Sequence, residues 1–369
     1  MRSLTIIHIL RAPMGGVMRH VRDLARIHTA QGHRVGIICD VDGTAGYNNA
    51  LLEDLENELA FGVMRLPMSR AVGPSDYLAI RKIDALLHAI NPDVVHGHGA
   101  KGGVYARLCS SNGVTRIYSP HGGSLHFDPA KLSGKVYFTV EKWLEKRTNR
   151  MLFVADFERR TYEEKIGTLR CPWTVSYNGL AASEFVPVER VEKPVDFLFI
   201  GEIRLLKGPD LFIGAIKALN ARRDTPVTGL MVGAGPDSAA MQDAINQAGL
   251  SAQITMQGPM PAREAFAKAK TVVIPSRAEA MPYIVLEALA GDCPVITTNV
   301  GGIPEIMGAS SDALIEPSVT ALERAMEVAL DNPQGFKRGL PDVETLQARF
   351  SEDVMADAVM AAYCETVAR

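Results

Sequence analysis

The stretch LTIIHILRAPMGGVMRHVRDLARIHTAQGHRVGIICD, residues 4–40, contains the repeating unit from which the fold is predicted. A short run of Ile and Leu leads through a glycine loop into a segment with apolar residues at helical spacing, which ends near Gly32. A second apolar run, RVGIICD, follows directly. A strand, a helix and a strand in this order predict two parallel strands with a helix packed over them.

The same alternation continues on both sides of a proline-rich segment. DVVHGHG and RIYSPHGG read as strands before it, and VDFLFIGE, TGLMVGAG, QITMQG, TVVIPS and PVITTN read as strands after it. Residues 186–195, VPVERVEKPV, combine two prolines and four charges without helical spacing, and we interpret them as a linker. The pattern predicts an α/β protein with two doubly wound domains, 1–187 and 188–345, followed by a helix, 346–369, that crosses back to the first domain.

Composition excludes several classes of protein. The chain has 369 residues, of which 47% are hydrophobic and 22% charged, so a disordered, collagen-like or disulfide-scaffold protein is excluded. Apolar runs stay shorter than the roughly 18–20 residues of a membrane helix. The five cysteines are scattered without a CxxC pair, which predicts reduced thiols and a cytoplasmic location.

Charge divides unevenly along the chain. Residues 1–185 hold 23 Lys and Arg against 18 Asp and Glu, whereas residues 186–369 hold 16 against 24. A mildly basic first half suits an anionic substrate or an anionic membrane surface. The excess is too small for a nucleic-acid surface, so we predict no nucleic-acid partner.

The most informative motif is SRAEAMPYIVLEALAGDCPVITTNVGGIPEI, residues 276–306. Glu279 precedes a helix that starts near Pro282, and Glu287 lies one turn into it. A helix N-terminus favours phosphate, and flanking carboxylates accept hydrogen bonds from hydroxyl groups, so the pair suits a sugar nucleotide. In the alternative reading, Glu279 stabilises the helix dipole and Glu287 is an exposed helix residue.

Six motifs in a fixed order resemble the retaining glycosyltransferases of family 4. They are the MGG loop at 14–16, the HG of SPHGG, NGL before Glu184 and Phe185, IGE with LKG, VGAGP, and the E-x7-E segment with NVGGIPEI. The resemblance covers essentially the whole chain. The overall pattern is similar to that of bacterial transferases that build surface polysaccharides. It implies the GT-B fold, in which two Rossmann-like domains face a central cleft, the first binding the acceptor and the second the nucleotide sugar.

The resemblance also assigns roles to residues of the second domain. Glu287 would bind the ribose hydroxyls, Glu279 the transferred sugar or its phosphate region, and Lys207 the diphosphate. The chain departs from the family at Glu202, where an Arg is usual. We hypothesise that Arg204 supplies the missing guanidinium with Glu202 orienting it, if the strand continues that far; otherwise Arg204 is a surface cation.

A second departure affects the backbone that would contact the sugar. The family often has Gly-Phe-Gly where this chain has Ala280 and then the predicted contact residues Met281, Pro282, Tyr283 and Ile284. Pro282 has no N–H to donate. Gly233 and Gly235 of VGAGP would lie near the base or diphosphate, although that motif alone is a weak dinucleotide pattern because its third glycine is missing.

In the first domain the resemblance assigns roles to Gly15, Gly16 and His121. The glycine loop would reach the donor diphosphate and the acceptor, or else form a simple strand-to-helix turn. His121 would contact the donor sugar and position the acceptor, or else be a core histidine. His96, His98 and His126 raise a metal site as an alternative, but no carboxylate or cysteine has matching spacing and the family's sites work without metal. We therefore predict no metal and no cofactor.

Residues 131–150 mix aromatic and aliphatic residues with six Lys and Arg residues. This segment predicts an amphipathic helix that, with Arg19, Arg22 and Arg26, docks peripherally on the inner face of the cell membrane near a lipid-linked acceptor. The alternative is an ordinary solvated helix face.

The sequence therefore predicts a retaining hexosyltransferase. It would move a sugar from a nucleoside-diphosphate sugar, a UDP-sugar being the first candidate, to a hydroxyl of a glycan or lipid-linked acceptor in bacterial polysaccharide or glycolipid assembly. The family implies front-face attack, with the departing phosphate helping to deprotonate the acceptor. Two alternatives remain: a GT-B sugar-nucleotide epimerase and a non-catalytic sugar-nucleotide binding protein, the latter favoured by Glu202.

Overall fold

The computed structural model describes residues 2–41, 47–69, 73–110 and 113–368, without the side chains at 47–52 and 126. The chain forms two compact units, Met1–Gly179 with Glu352–Arg369, and Leu180–Ser351. Each unit contains one parallel sheet covered by helices, so the predicted α/β class with two doubly wound sheets is confirmed.

The first unit has a seven-stranded parallel sheet in the order β3-β2-β1-β4-β5-β6-β7. Its strands are β1 (Thr5–Leu10), β2 (Arg34–Asp40), β3 (Val63–Leu66), β4 (Val94–His98), β5 (Thr115–Ser119), β6 (Arg150–Phe153) and β7 (Trp173–Val175). Its helices are α1 (Gly15–Ala30), α2 (Tyr47–Glu58), α3 (Pro74–Ile90), α4 (Gly99–Leu108), α5 (Leu132–Glu145), α6 (Asp156–Lys165) and the C-terminal α15 (Glu352–Val367).

Strand order reverses between β1 and β4, which pair directly. Open parallel sheets bind ligands at such a reversal, beyond the carboxyl ends of the strands. Apolar side chains are buried on both sheet faces, as the near-continuous Ile and Val runs of parallel strands require. Helix α15 covers one face, where Val359 and Tyr363 pack against Ile6 and Ile117.

The second unit has a six-stranded parallel sheet in the order β10-β9-β8-β11-β12-β13, with its reversal between β8 and β11. Its strands are β8 (Val195–Ile200), β9 (Gly229–Val232), β10 (Ile254–Gln257), β11 (Ala269–Ile274), β12 (Val295–Thr298) and β13 (Leu314–Ile315). Its helices are α7 (Pro209–Asn220), α8 (Ser238–Gln247), α9 (Ala262–Ala267), α10 (Tyr283–Ala290), α11 (Ile303–Met307), α12 (Val319–Asp331), α13 (Pro333–Arg338) and α14 (Val343–Phe350).

The units change over at positions different from the predicted boundaries. The presumed linker, 186–195, lies within the second unit, where the Val188 N–H donates to Gly291 O and the Val191 N–H to Ala267 O, both at 2.9 Å. The change to the first unit at Ser351–Glu352 separates α14 from α15. In the part of the chain that the structure describes, no helix has the length and apolarity needed to cross a bilayer.

A buried ion pair fixes helix α5 to helix α4. Arg107 Nη1 lies 2.8 Å from Glu141 Oε2, and both side chains are almost fully buried. Tyr118 and Ser124 donate their hydroxyl groups to Glu141 Oε1 at 3.0 and 2.9 Å, and the Arg107 guanidinium lies 3.7 Å from the centre of the Tyr118 ring. Glu141 therefore compensates one buried charge and two buried hydroxyl donors.

Replacing Glu141 by Leu should lower the free energy of unfolding by about 3–5 kcal/mol, because the buried Arg107 charge loses its partner. The double change Arg107→Met with Glu141→Leu should recover part of that loss. Chemical denaturation of the full chain measures both values. A single variant as stable as the double variant would contradict the assigned role of the pair.

Candidate functional site

Loops at the carboxyl edge of the second sheet pack backbone against backbone. A Cβ atom on Gly233 would lie 1.9 Å from Gly201 O, and one on Gly301 would lie 2.0 Å from Glu279 O. Gly233 also has φ +143°, which side chains rarely tolerate. A Cβ atom on Gly208 would lie 2.0 Å from Pro275 O, so the loops after β8, β9, β11 and β12 are joined into one surface, which includes the predicted Gly235.

Lys207 and Glu279 meet on this surface. Lys207 follows β8 and Glu279 follows β11, and Lys207 Nζ lies 2.7 Å from Glu279 Oε1. The Ser276 hydroxyl donates to the same oxygen at 2.7 Å. Glu279 is mostly buried whereas about a third of the Lys207 side chain is exposed, so the carboxylate anchors the ammonium group at the edge of the sheet.

The predicted sugar-contacting backbone leads into helix α10. Met281, Pro282 and Tyr283 are buried, and Ile284 in the first helical turn is half-buried. Pro282 is the N-cap residue and makes no side-chain capping bond. Glu287 lies half-buried one turn further along the same helix, as the spacing predicts.

The hypothesis that Arg204 replaces the missing arginine required strand β8 to continue through residue 204, and it does not. Strand β8 ends at Ile200, before Gly201 with φ +148°, so Glu202 and Arg204 are not strand residues. Both side chains are nevertheless exposed on either side of the buried Ile203. Among the described residues they make neither an ion pair nor a side-chain hydrogen bond with each other, so Glu202 does not orient Arg204 in this structure.

In the first unit, the predicted glycine loop lies at the carboxyl end of β1. Helix α1 begins at Gly15, which has φ +65°. Gly15 and Gly16 are both exposed, and the preceding Met14 is an extended N-cap residue without a side-chain capping bond.

His121 follows β5 in an uncommon backbone conformation. Its φ is +51°, and Gly122 and Gly123 also have positive φ values of 77° and 21°. The buried Glu158 carboxylate accepts hydrogen bonds from the N–H groups of Gly122 at 2.5 Å and Val154 at 3.1 Å. A non-glycine residue with positive φ needs such support from its surroundings, which places the half-buried His121 at a constrained position.

A cluster of histidine rings lies around His121. His98 Nδ1 is 3.0 Å from His121 Nε2, and His8 Nδ1 is 2.9 Å from His98 Nε2. The His20 ring packs edge-on against His121 with 4.9 Å between ring centres. Burial lowers the pKa of His20 to about 4 and holds the pKa values of the other three well below the usual range, so the rings are neutral at physiological pH.

Two groups of three histidines bring ring nitrogens within 4.8 Å of one another: His8, His96 and His98, and His20, His98 and His121. Both ring nitrogens of His96 are engaged, by the Tyr363 hydroxyl at 2.6 Å and the Ser119 hydroxyl at 2.8 Å. His98 belongs to both groups, and both of its ring nitrogens are likewise engaged, by His8 and His121. The absence of metal remains a prediction.

At the carboxyl edge of the second sheet the structure thus gathers Lys207, Glu279, Gly233, Gly235 and residues 281–287. At the carboxyl edge of the first sheet it gathers Gly15, Gly16 and His121. Sequence reasoning missed Ser276 and Glu158, and it gave His8 and His20 no role. Their only sequence signals were Ser276 three residues before Glu279 and the concentration of all nine histidines in the first 126 residues.

Two family models match consecutive parts of the chain. The model described as Glycosyltransferase Family 4 matches residues 14–184, and the model described as Glycosyl transferases group 1 matches residues 182–342.

Related proteins and solved structures agree with these models. Glycogen synthase of Mycobacterium tuberculosis H37Rv is 25% identical over 353 residues, covering 88% of this chain and 84% of that protein. The putative teichuronic acid biosynthesis glycosyltransferase TuaC of Bacillus subtilis is 28% identical over 285 residues, covering 73% and 69%. The structure of Anabaena HepE in complex with UDP-glucose matches with a TM-score of 0.81 at 15% identity, covering 98% and 100%, which shows a shared fold.

The stability of the first unit should depend on pH through Glu158. Burial raises the pKa of Glu158 from 4.5 to about 7, so the folded chain holds this proton more tightly than the unfolded chain. The free energy of unfolding should therefore fall as pH rises from about 4.5 to about 7, by at most about 3 kcal/mol.

Glu158→Gln should remove this contribution, whereas Glu164→Gln, an exposed site on the same helix, should leave it unchanged. Denaturation curves measured between pH 5 and pH 8 test the difference. Identical pH dependence in the parent and in Glu158→Gln would refute the assignment.

Proposed function

The chain belongs to the family 4 glycosyltransferases of GT-B fold, and from that membership we propose that it transfers a sugar from a nucleoside-diphosphate sugar to an acceptor hydroxyl with retention of anomeric configuration. The observation that carries the proposal is the Lys207–Glu279 pair on the glycine-joined surface of the second unit. A UDP-sugar is the proposed donor, and UDP-glucose is the ligand named for the HepE structure.

Lys207 is suited to stabilise the departing diphosphate. An ammonium group has three N–H donors, and Glu279 is the one partner of Lys207 among the described residues, so two donors remain for phosphate oxygens. Because its partner is anchored by Ser276, the charge is already placed before the donor binds. Preorganised charge of this kind stabilises the transition state without reorganisation during the reaction.

Helix α10 is the proposed site of the nucleoside. Its N-terminal turn adds positive potential next to Lys207, and Glu287 one turn further along has the chemistry to accept both ribose hydroxyl hydrogen bonds. Close packing at Gly233 and Gly235 keeps side chains out of this surface, so phosphate can approach the backbone. Arg204 is an exposed cation on the adjacent loop and a candidate second phosphate ligand.

The proposed acceptor is a glycan or a lipid-linked sugar in bacterial polysaccharide or glycolipid assembly. TuaC is named for a role in teichuronic acid biosynthesis, which supports this class of product. His121 is the proposed contact to the transferred sugar, because it is half-buried and its ring packs against His20 of helix α1, the helix that begins with the glycine loop. Attack on the donor is proposed to occur on the face from which the diphosphate departs, so the phosphate assists removal of the hydroxyl proton.

Calorimetric titration with UDP, GDP, ADP and CDP in metal-free buffer tests the donor site. We expect saturable binding of one nucleotide, weakened roughly tenfold or more in Glu287→Ala, which removes hydrogen bonds to a charged acceptor. Glu264→Ala, an exposed site on α9, is the matched control. Absence of binding to all four nucleotides, or unchanged affinity in Glu287→Ala, would overturn the assignment.

Two further measurements refine the same experiment. Unchanged affinity in Arg204→Ala would exclude a direct phosphate contact by that residue. Release of nucleotide that requires acceptor identifies a transferase, whereas an epimerase releases no net nucleotide and a binding protein catalyses neither reaction.

Helix α5 is the proposed contact to an anionic membrane. Leu132, Val136, Val140 and Trp143 lie on one helical face and are 78%, 55%, 39% and 48% exposed, and four lysines and one arginine flank them: Lys131, Lys135, Lys142, Lys146 and Arg147. The predicted contribution of helix α1 is not supported, because its arginines pair with Asp23 and Glu58. An apolar stripe bordered by cations suits the interface of an anionic bilayer.

The chain should float with vesicles containing anionic lipid at low salt, and binding should weaken at high salt. Val136→Glu with Trp143→Glu should abolish flotation, because the apolar stripe then carries two charges. Leu78→Glu alters an apolar residue on α3 that is 62% exposed and should have no effect. Failure of the parent chain to float at low salt would remove the membrane proposal.

A further inference from the structure

Three histidine rings of the first unit form a continuous hydrogen-bonded chain. Nδ1 of His8 lies 2.9 Å from Nε2 of His98, and Nδ1 of His98 lies 3.0 Å from Nε2 of His121. The rings come from β1, β4 and the segment after β5, three neighbouring strands of the sheet. His8 and His98 are fully buried, whereas His121 is half-buried.

The three rings are neutral at physiological pH. Burial is the largest cause that holds the pKa of each ring well below the usual range, and neighbouring histidines lower it further. A neutral imidazole has one N–H donor and one nitrogen lone pair. Each ring therefore brings one proton to the chain.

Neutrality couples the tautomers of the three rings. If His98 carries its proton on Nδ1, it donates to His121 Nε2 and accepts from His8 Nδ1, so all three rings are protonated on Nδ1. If His98 carries its proton on Nε2, the same reasoning places every proton on Nε2. Mixed arrangements would leave two N–H groups or two lone pairs facing each other at about 3 Å, which loses a buried hydrogen bond.

The hydrogen-bonded chain of histidine rings ends at a buried atom. His8 Nε2 is inaccessible to solvent and has no hydrogen-bond partner within the described residues. A proton that entered at His121 would have to rest on a buried imidazolium, and the three linked rings carry no negative charge to compensate it. The arrangement is thus suited to orient His121 and unsuited to remove a proton from the acceptor.

We propose that His8 and His98 are positioning residues that tie the tautomer of His121 to their own, so that the hydrogen-bonding role of His121 Nδ1 toward a sugar or acceptor hydroxyl is set by all three rings together. The identity of that hydroxyl ligand rests on the proposed function. Other contacts fix the same ring: the His20 ring packs edge-on against it, and the Glu158 carboxylate holds the N–H of the next residue, Gly122.

Long-range ¹H–¹⁵N correlation spectra of the full chain labelled with ¹⁵N-histidine report the protonated nitrogen of each ring. Single His→Gln variants assign the signals. We expect His8, His98 and His121 to be neutral at pH 7 and protonated on the same ring nitrogen. Different tautomers for His98 and His121, or a protonated imidazolium at either position, would overturn the proposal.

His8→Phe keeps an aromatic ring and removes the first nitrogen of the chain. We expect His98 and His121 to become mixtures of tautomers, and kcat of transfer to fall about 10- to 100-fold as the orientation of His121 is lost. His28→Phe is the matched control, since His28 is equally buried in the same unit and bonds the Ala356 carbonyl outside the chain. Unaltered spectra of His98 in His8→Phe would also overturn the proposal.

The spectra separate this proposal from the proposed function. A shared tautomer together with full activity in His121→Gln would retain the hydrogen-bonded chain and remove His121 from the transfer reaction. Loss of activity in His121→Gln with different tautomers in the parent would retain His121 in the transfer reaction and overturn the coupling of the three rings.

Discussion

Close approach of main-chain segments at the carboxyl edge of the second sheet is the constraint on which the proposed donor surface depends. Parallel strands deliver all their carboxyl ends to one edge, so the loops after β8, β9, β11 and β12 compete for the same space. They fit because Gly233 and Gly301 have no Cβ atom to collide with Gly201 O and Glu279 O. Lys207 and Glu279 lie 72 positions apart in the chain, so their contact depends on this packing of the loops.

In the first sheet, polar side chains connect the neighbouring strands. His8 lies within β1, His98 ends β4 and His121 follows β5, and these rings meet because β1 pairs with β4 and β4 with β5. Burial keeps the rings neutral, so they cross-link the strand ends through hydrogen bonds without the cost of buried charge. Tyr363 of the C-terminal helix joins this network through His96, which ties the last helix of the chain to its first sheet.

The two edges also differ in electrostatic character. The edge of the second unit presents Lys207, Arg204 and the start of helix α10, all of which favour an anionic ligand. The edge of the first unit presents a glycine loop and neutral imidazoles, which suit hydroxyl groups better than phosphate. This division is consistent with the donor and acceptor roles proposed for the two units.

The sequence by itself determined the two parallel sheets and indicated most of the residues that meet at the carboxyl edge of the second sheet. Apolar periodicity reports burial directly, and spacing along one helix places Glu287 relative to Pro282 without long-range information. Short strands such as β7 and β13, of three and two residues, carried too little periodicity to be predicted. The end of β8 could not be predicted either, because a strand ends where its hydrogen bonding to the neighbouring strands ends, and its own sequence does not show this.

Only the tertiary structure decided which polar groups meet. The Ser276–Glu279–Lys207 contacts, the support of Gly122 by Glu158 and the chain from His8 to His121 each depend on distances set by strand order and loop packing. Tertiary structure also decided that the arginines of α1 are paired while the cations of α5 flank an exposed apolar stripe. Sequence spacing fixes neighbours along one element, whereas contacts between elements arise when buried surfaces pack together.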